Sequence, residues 1–143
     1  MTTQTAISWE FIQQFNFTNP PRIVLGRSED VDTKYKEVSH IIKENGGALK
    51  HLTKKYLSNG NDYNMTLNNY PYYMEDGVVH YIIWFTGDKF YRYNNSPAIE
   101  NIVRDYININ NINSESDYVY YQNIEELRSI PSIPHLHVFI NVA

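Results

Sequence analysis

A chain of 143 residues with no cysteine, 12 basic and 16 acidic side chains and a net charge of −4 excludes several classes at once. Disulfides, thiol catalysis and cysteine-ligated zinc are ruled out, and no overall positive field favours nonspecific nucleic-acid binding. No apolar run is long enough to span a bilayer and the first residues do not read as a signal peptide, so no membrane partner and a cytoplasmic location are expected.

The length fits one domain over residues 1–143, with 1–21 as an N-terminal helical extension. Thirteen tyrosines stand among many asparagines and isoleucines, a bias that an AT-rich coding sequence would produce without functional meaning. Tyrosine nevertheless supplies flat faces and hydroxyls for a polar ligand.

In chain order, residues 8–16 predict a short helix capped by Ser8, with Trp9, Phe11 and Ile12 turned inward. Residues 28–45 space Val31, Tyr35, Val38, Ile41 and Ile42 as one buried helical stripe behind a Ser28 cap. Gly46 and Gly47 stop that helix. A second helix over 48–57 places Leu49, Leu52 and Tyr56 opposite Lys50, Lys54 and Lys55, and the polar run 58–61 ends it.

Residues 62–67 alternate as a half-buried strand, whereas 78–85 are apolar on both faces and predict a central strand. Phe90 to Tyr93 reads as a returning hairpin arm. Ser96 and Pro97 then open a helix, Ser96 as cap, that buries Ile99, Ile102, Val103, Tyr106 and Ile107. Residues 118–121 predict a strand, and 123–126 a short capped helix with Glu126 at the capping-box position. The last strand, 135–142, sets Leu136, Val138, Ile140 and Val142 on one face and His135, His137, Phe139 and Asn141 on the other. The class is α+β, a mainly antiparallel sheet with helices packed on one face.

Three of the five histidines fall on two predicted strands: His80, and the pair His135 and His137. Imidazoles at i and i+2 project from one strand face about 7 Å apart, a geometry suited to acid/base chemistry, nucleophilic attack or metal ligation. His80 adds to that site if its strand lies beside the last one. A zinc site would draw further ligands from His80, Asp76 or Glu75, but no spacing compels it, and neither a metal nor another cofactor is expected. A buried, backbone-bonded imidazole is the competing structural role. His40 and His51, on helices, are expected to face solvent or close a helix end.

Arg27 precedes a helix N-terminus, where an anion could be held, and Arg128 with Ser129 could serve similarly before the histidine strand. Trp84 shares a face with Ile82 and His80, and with Tyr70 and Tyr72 it could stack on a base or a sugar.

The segments LNNYPYYMEDGVVHYIIWF, YVYYQNIEELRSIP and IPHLHVFI resemble, in this order over residues 22–142, a family of uncharacterised domains found in fungi and large DNA viruses that includes the fungal N-acetylglucosamine-induced proteins. A viral origin would make the host cytoplasm the expected compartment. More distantly, Asn68, Pro71, Gly77 and His80 are similar to the first motif of histidine-triad nucleotide hydrolases and transferases, and His135, Leu136, His137 and Val138 to the second. The triad is incomplete: Ile133 or Phe139 stands at one histidine position, so that either His137 or His135 would be the central nucleophile.

The resemblance implies a histidine- and aromatic-lined pocket for a nucleotide, a nucleotide sugar or an RNA-cap-like ligand, built from His80, Trp84, Tyr70, Tyr72, Asn68, Arg27 and Arg128. One alternative is a nucleotidyl hydrolase or transferase using His137 or His135. Another is a protein-interaction module whose histidines are structural. His80, His135 and His137 are expected to lie within one pocket; their placement on opposite sheet faces, or full enclosure by apolar side chains, would contradict both pocket readings.

Overall fold

A computed structural model describes residues 5–58, 60–128 and 130–143. Four antiparallel strands form one sheet in the order β1-β2-β4-β3, with β1 at Tyr63–Leu67, β2 at Val78–Phe85, β3 at Tyr118–Tyr121 and β4 at His135–Asn141. The centre is the β2/β4 pair, whose register sets His80 opposite Phe139, Ile82 opposite His137 and Trp84 opposite His135. The fold is therefore α+β.

Because side chains alternate along a strand, each face of this pair has its own content. One face carries Tyr81, Ile83, Phe85, Leu136, Val138 and Ile140 into the main core. Helix α4, Ser96–Ile109, closes it with Ile99, Ile102, Val103 and Ile107, all buried. Its cap is Asn95, whose Oδ1 accepts from the Ala98 N–H at 3.0 Å; Ser96, expected to cap, is the first helical residue.

The other face is divided. Toward one end Phe139, Val78 and Tyr121 pack with Tyr72 and with Ile12 of α1, Trp9–Ile12, a single turn capped by Ser8. Toward the other end Ile82 and Trp84 pack with Leu57 and Ile133. His80 and His137 lie between the two clusters.

Over the second end stand α2, Glu29–Glu44, and α3, Gly47–Tyr56, joined at Gly46, whose φ of 106° suits a residue without Cβ. Neither helix contributes a buried residue. The stripe expected to be buried in α2 instead faces a cavity with Tyr35, Val38 and Ile42, while Ile41 remains 57% exposed. Periodicity predicted an inward face correctly, but the hairpin stands off the sheet and encloses space.

Two further local expectations change. The segment Gly87–Arg92 is a 3₁₀ helix rather than a hairpin arm, and it turns Phe90 and Tyr93 onto Phe85 with ring centroids 4.8 and 5.9 Å away. The short helix after β3 is one 3₁₀ turn at Glu125–Leu127 without a side-chain cap, because Asn123 is drawn into the interior. Asn59, within the expected helix-ending run, and Ser129, expected beside Arg128 at an anion site, lie outside the described residues.

Candidate functional site: a cavity beside a buried imidazole chain

The Asn68-Asn69-Tyr70-Pro71-Tyr72 segment returns the chain from edge strand β1 across the face that carries the histidines. Asn68 Oδ1 accepts from the Tyr70 N–H at 2.8 Å, which leaves its Nδ2 to donate to His80 Nδ1 at 3.4 Å. The Tyr72 backbone N–H donates to the same nitrogen at 3.1 Å. Two donors on Nδ1 make it an unprotonated acceptor, so the His80 proton sits on Nε2.

From that point the proton positions follow in sequence. His80 Nε2–H donates to His137 Nδ1 at 2.7 Å, placing the His137 proton on its Nε2. The structure sets the Asn123 side-chain Nδ2 3.1 Å from that nitrogen and donating to the Tyr72 hydroxyl at 3.2 Å. An N–H on His137 requires this amide turned end for end, so that its oxygen accepts from both His137 Nε2–H and the Tyr72 hydroxyl. Arg128 Nε braces the element by donating to the Asn123 carbonyl at 2.8 Å.

Both rings are neutral. Burial lowers the His80 pKa to about 3, reinforced by Arg27 and His135. Burial likewise holds His137 well below the usual histidine range, with His80, His135 and Arg27 adding to it. Removing an imidazolium from water costs more than these neutral partners return. Tyr72 completes the cluster, its ring 4.6 Å from His80 and stacked 5.2 Å from His137, and burial raises its pKa.

Beside the chain, between the α2–α3 hairpin and the sheet, lies a cavity of about 410 Å³. Ile82, Trp84, His135 and His137 form its floor, Tyr35 and Tyr56 stand on the helices, and Asn68, Asn69 and Tyr70 close one side. Arg27 lies in the wall, its Nε donating to the Tyr70 carbonyl at 2.9 Å and its guanidinium 3.8 Å over the Tyr35 ring. Lys43, His51 and Lys55 are exposed at the rim. Among the described lining residues there is no Asp or Glu.

His135 differs from the other two strand histidines. Its Nδ1–H donates to the Ile133 carbonyl at 2.8 Å, so Nε2 carries the lone pair, and no group among the described residues bonds to that nitrogen. Burial lowers its pKa, which keeps the ring neutral, and the Ile133 bond opposes the shift only in part. Opposite it, Trp84 stacks against Tyr56 with centroids 5.4 Å apart and planes 10° from parallel. The Trp84 indole N–H is buried without an acceptor.

The residues singled out from sequence thus separate by position. His135, His137, Trp84, Tyr70, Asn68 and Arg27 line the cavity. His80 and Tyr72 lie behind it in the imidazole chain, so, contrary to expectation, His80 does not share the cavity with His135 and His137; it stands on the same sheet face and reaches the cavity only through its bond to His137, while Arg128 supports Asn123 from outside. Tyr35, Lys43, His51, Lys55, Tyr56 and Asn123 were not anticipated. The i, i+4 pairs His51/Lys55 and Leu52/Tyr56 on α3 were the available signal, since each lies along one side of a helix. Glu75 receives the Trp9 N–H, and among the described residues no cluster of three or more acidic or histidine side chains is placed to hold a metal. Nor is any described helix long and apolar enough to cross a membrane.

No curated protein matches the chain. Among solved structures, one described as "Crystal Structure of HTC1" is similar in fold, with a TM-score of 0.57 at 23% identity over 95% of this chain and 85% of that one. The family described as protein of unknown function, DUF3605, matches residues 8–141, a span that takes in every element of the sheet and the cavity, and the chain belongs to that family.

Proposed function

We propose that the cavity under the α2–α3 hairpin binds a small anionic molecule carrying a planar ring, of the nucleotide, nucleotide-sugar or cap-like class. The observation that carries this reading is charge segregation. A chain with net charge −4 gathers Arg27, Lys43 and Lys55 around a largely apolar and aromatic cavity and places no carboxylate among the described lining residues. Such a site favours a ligand with an apolar, aromatic body and a negative end. The volume is within the range of small-molecule sites.

Thermal unfolding in the presence of nucleoside mono- and diphosphates, nucleotide sugars and cap analogues tests it. At least one is expected to raise the melting temperature, because a ligand bound only to the native state stabilises it by mass action. Lys43→Glu/Lys55→Glu, which reverses two exposed rim charges, is expected to weaken that ligand by at least roughly tenfold while leaving the unliganded melting temperature within a few degrees. No shift with any of these compounds would contradict the reading.

A second reading, histidine-dependent transfer or hydrolysis of the bound nucleotide, is favoured by one observation. The lone pair of His135 Nε2 has no partner among the described residues, whereas both nitrogens of His137 are engaged. On that reading His135 is the base or nucleophile, and turnover abolished by His135→Gln with binding retained is its signature.

A further inference from the structure

The cavity has a floor that solvent barely reaches. Ile82, Trp84, His135 and His137 line it, yet each is only 5–7% exposed, so a ring-bearing molecule does not reach them through the present opening at the rim. The sheet supplies no other way in, because β2 and β4 are its central strands, paired along their lengths and backed by the main core and α4. The cover over the floor is the α2–α3 hairpin, and it is secured unevenly.

Its two chain ends are pinned to the sheet. Ahead of α2 the Gly26 carbonyl accepts from the Tyr73 N–H at 2.9 Å, Arg27 Nε donates to the Tyr70 carbonyl at 2.9 Å, and the Tyr35 ring meets Tyr70 edge-on with centroids 5.6 Å apart. At the end of α3 Tyr56 stacks on Trp84, its carbonyl accepts from Asn64 Nδ2 at 2.9 Å, and Leu57 is buried with Ile82 and Ile133. The far end has no such attachment among the described residues. There the helices meet at Gly46 and Gly47, both with positive φ, α3 starts without a side-chain cap, and Ile41 and Leu49 are 57% and 53% exposed. Neither helix buries a residue, and a segment with few buried apolar contacts opens for far less free energy than global unfolding.

We infer that the α2–α3 hairpin is a lid, hinged at Arg27 and Leu57, whose Gly46–Gly47 end swings away from the sheet to admit a ligand and returns over it. This rests on the proposed function for the kind of ligand admitted; the opening itself belongs to the unliganded protein. Lys43, three residues before Gly46, travels with the moving end, so closure brings that cation to a bound anion.

The chain has no cysteine, so a single introduced thiol reports access. Ile82→Cys places it on the floor, and Val103→Cys places it in the main core, where Val103 is fully buried. Reaction of each variant with dithiodipyridine is followed at a series of low urea concentrations. The floor thiol is expected to react at least about 100-fold faster than the core thiol, at a rate nearly independent of urea, because lid opening exposes far less surface than unfolding. Asn64→Ala, which removes one bond at the α3 hinge, should speed the floor thiol by roughly fivefold. Equal rates with equal urea dependence for the two thiols overturn the lid, since the floor is then reached only by global unfolding. Reaction of the floor thiol as fast as a small-molecule thiol also overturns it, since nothing then closes the cavity. In the wild-type protein, whichever of AMP, GMP, CMP and UMP raises the melting temperature should associate at a rate that levels off with concentration at the opening rate, and a rate that rises linearly without limit overturns gating. If none of the four binds, the nucleotide reading fails and the thiol comparison still decides the lid.

Discussion

His137→Ala is expected to lower the unfolding free energy by about 3–5 kcal/mol, measured by denaturant titration at pH 7.5. The ring is 6% exposed and lies between His80, Asn123, Tyr72 and Tyr121. Removing it opens a void and strands the His80 Nε2–H and the Asn123 amide in the interior. Unpaired buried groups cost about 1–3 kcal/mol each, to which the lost packing adds. Since a domain of this size is held by only about 5–15 kcal/mol, the variant should stand close to the unfolding threshold. His135→Ala strands no side chain, because its partner is a backbone carbonyl, and a smaller loss is expected. A change below about 1 kcal/mol for His137→Ala would show that the imidazole chain does not hold the sheet face together.

Acidification is expected to have an effect of similar size. The folded-state pKa of His80 is lowered from 6.5 to about 3, and His137 lies well below 6.5, both through burial. Between these limits the unfolded chain binds protons that the native chain does not, so stability rises with pH and is lost as pH falls. It is complete above pH 6.5 and declines toward pH 3 by up to about 1.4 kcal/mol per pH unit per histidine. For His80 the loss between pH 7 and pH 4.5 is then on the order of 2–3 kcal/mol, and His137 adds to it in the same direction. Denaturant midpoints measured at intervals across this range should fall steadily, and His80→Gln/His137→Gln should flatten the profile. A flat wild-type profile from pH 7 to pH 4.5 would contradict the neutral, buried assignment.

Much of this arrangement was legible in the sequence because strand and helix periods leave direct traces. The i, i+2 spacing of His135 and His137 placed both on one face of β4, and the spacing of His80, Ile82 and Trp84 did the same for β2. That these two faces coincide depends on the antiparallel register of strands more than fifty residues apart, which no local pattern encodes. The helical stripe of α2 was visible, yet a stripe signals only which side turns inward. It does not distinguish packing on a core from lining a cavity, and the exposed Ile41 shows that part of it does neither.

The role of Asn123 was misread for a related reason. Asparagine before two acidic residues is a sound helix-start signal, but a buried imidazole N–H needing an acceptor competes for the same amide. Trp84 was expected to present a stacking face, and Tyr56 of α3 covers one of its two faces. Arg128, expected near an anion, supports the Asn123 backbone. The conspicuous residues were therefore recognisable, while their partners came from segments that sequence spacing does not connect to them.

The central claim is that the cavity between the hairpin and the histidine-bearing face receives an anionic, ring-bearing ligand. Chemical-shift mapping of the ¹⁵N-labelled protein during titration with the nucleotide that most raises the melting temperature tests this most directly. The account predicts concerted shifts of the Trp84 indole N–H, the His135 ring nitrogens and backbone amides of α2 and α3, with the groove beside β3 formed by Phe15, Phe17 and Tyr120 unaffected. Shifts confined to that groove, or scattered over surface lysines without movement of Trp84 and His135, would contradict it.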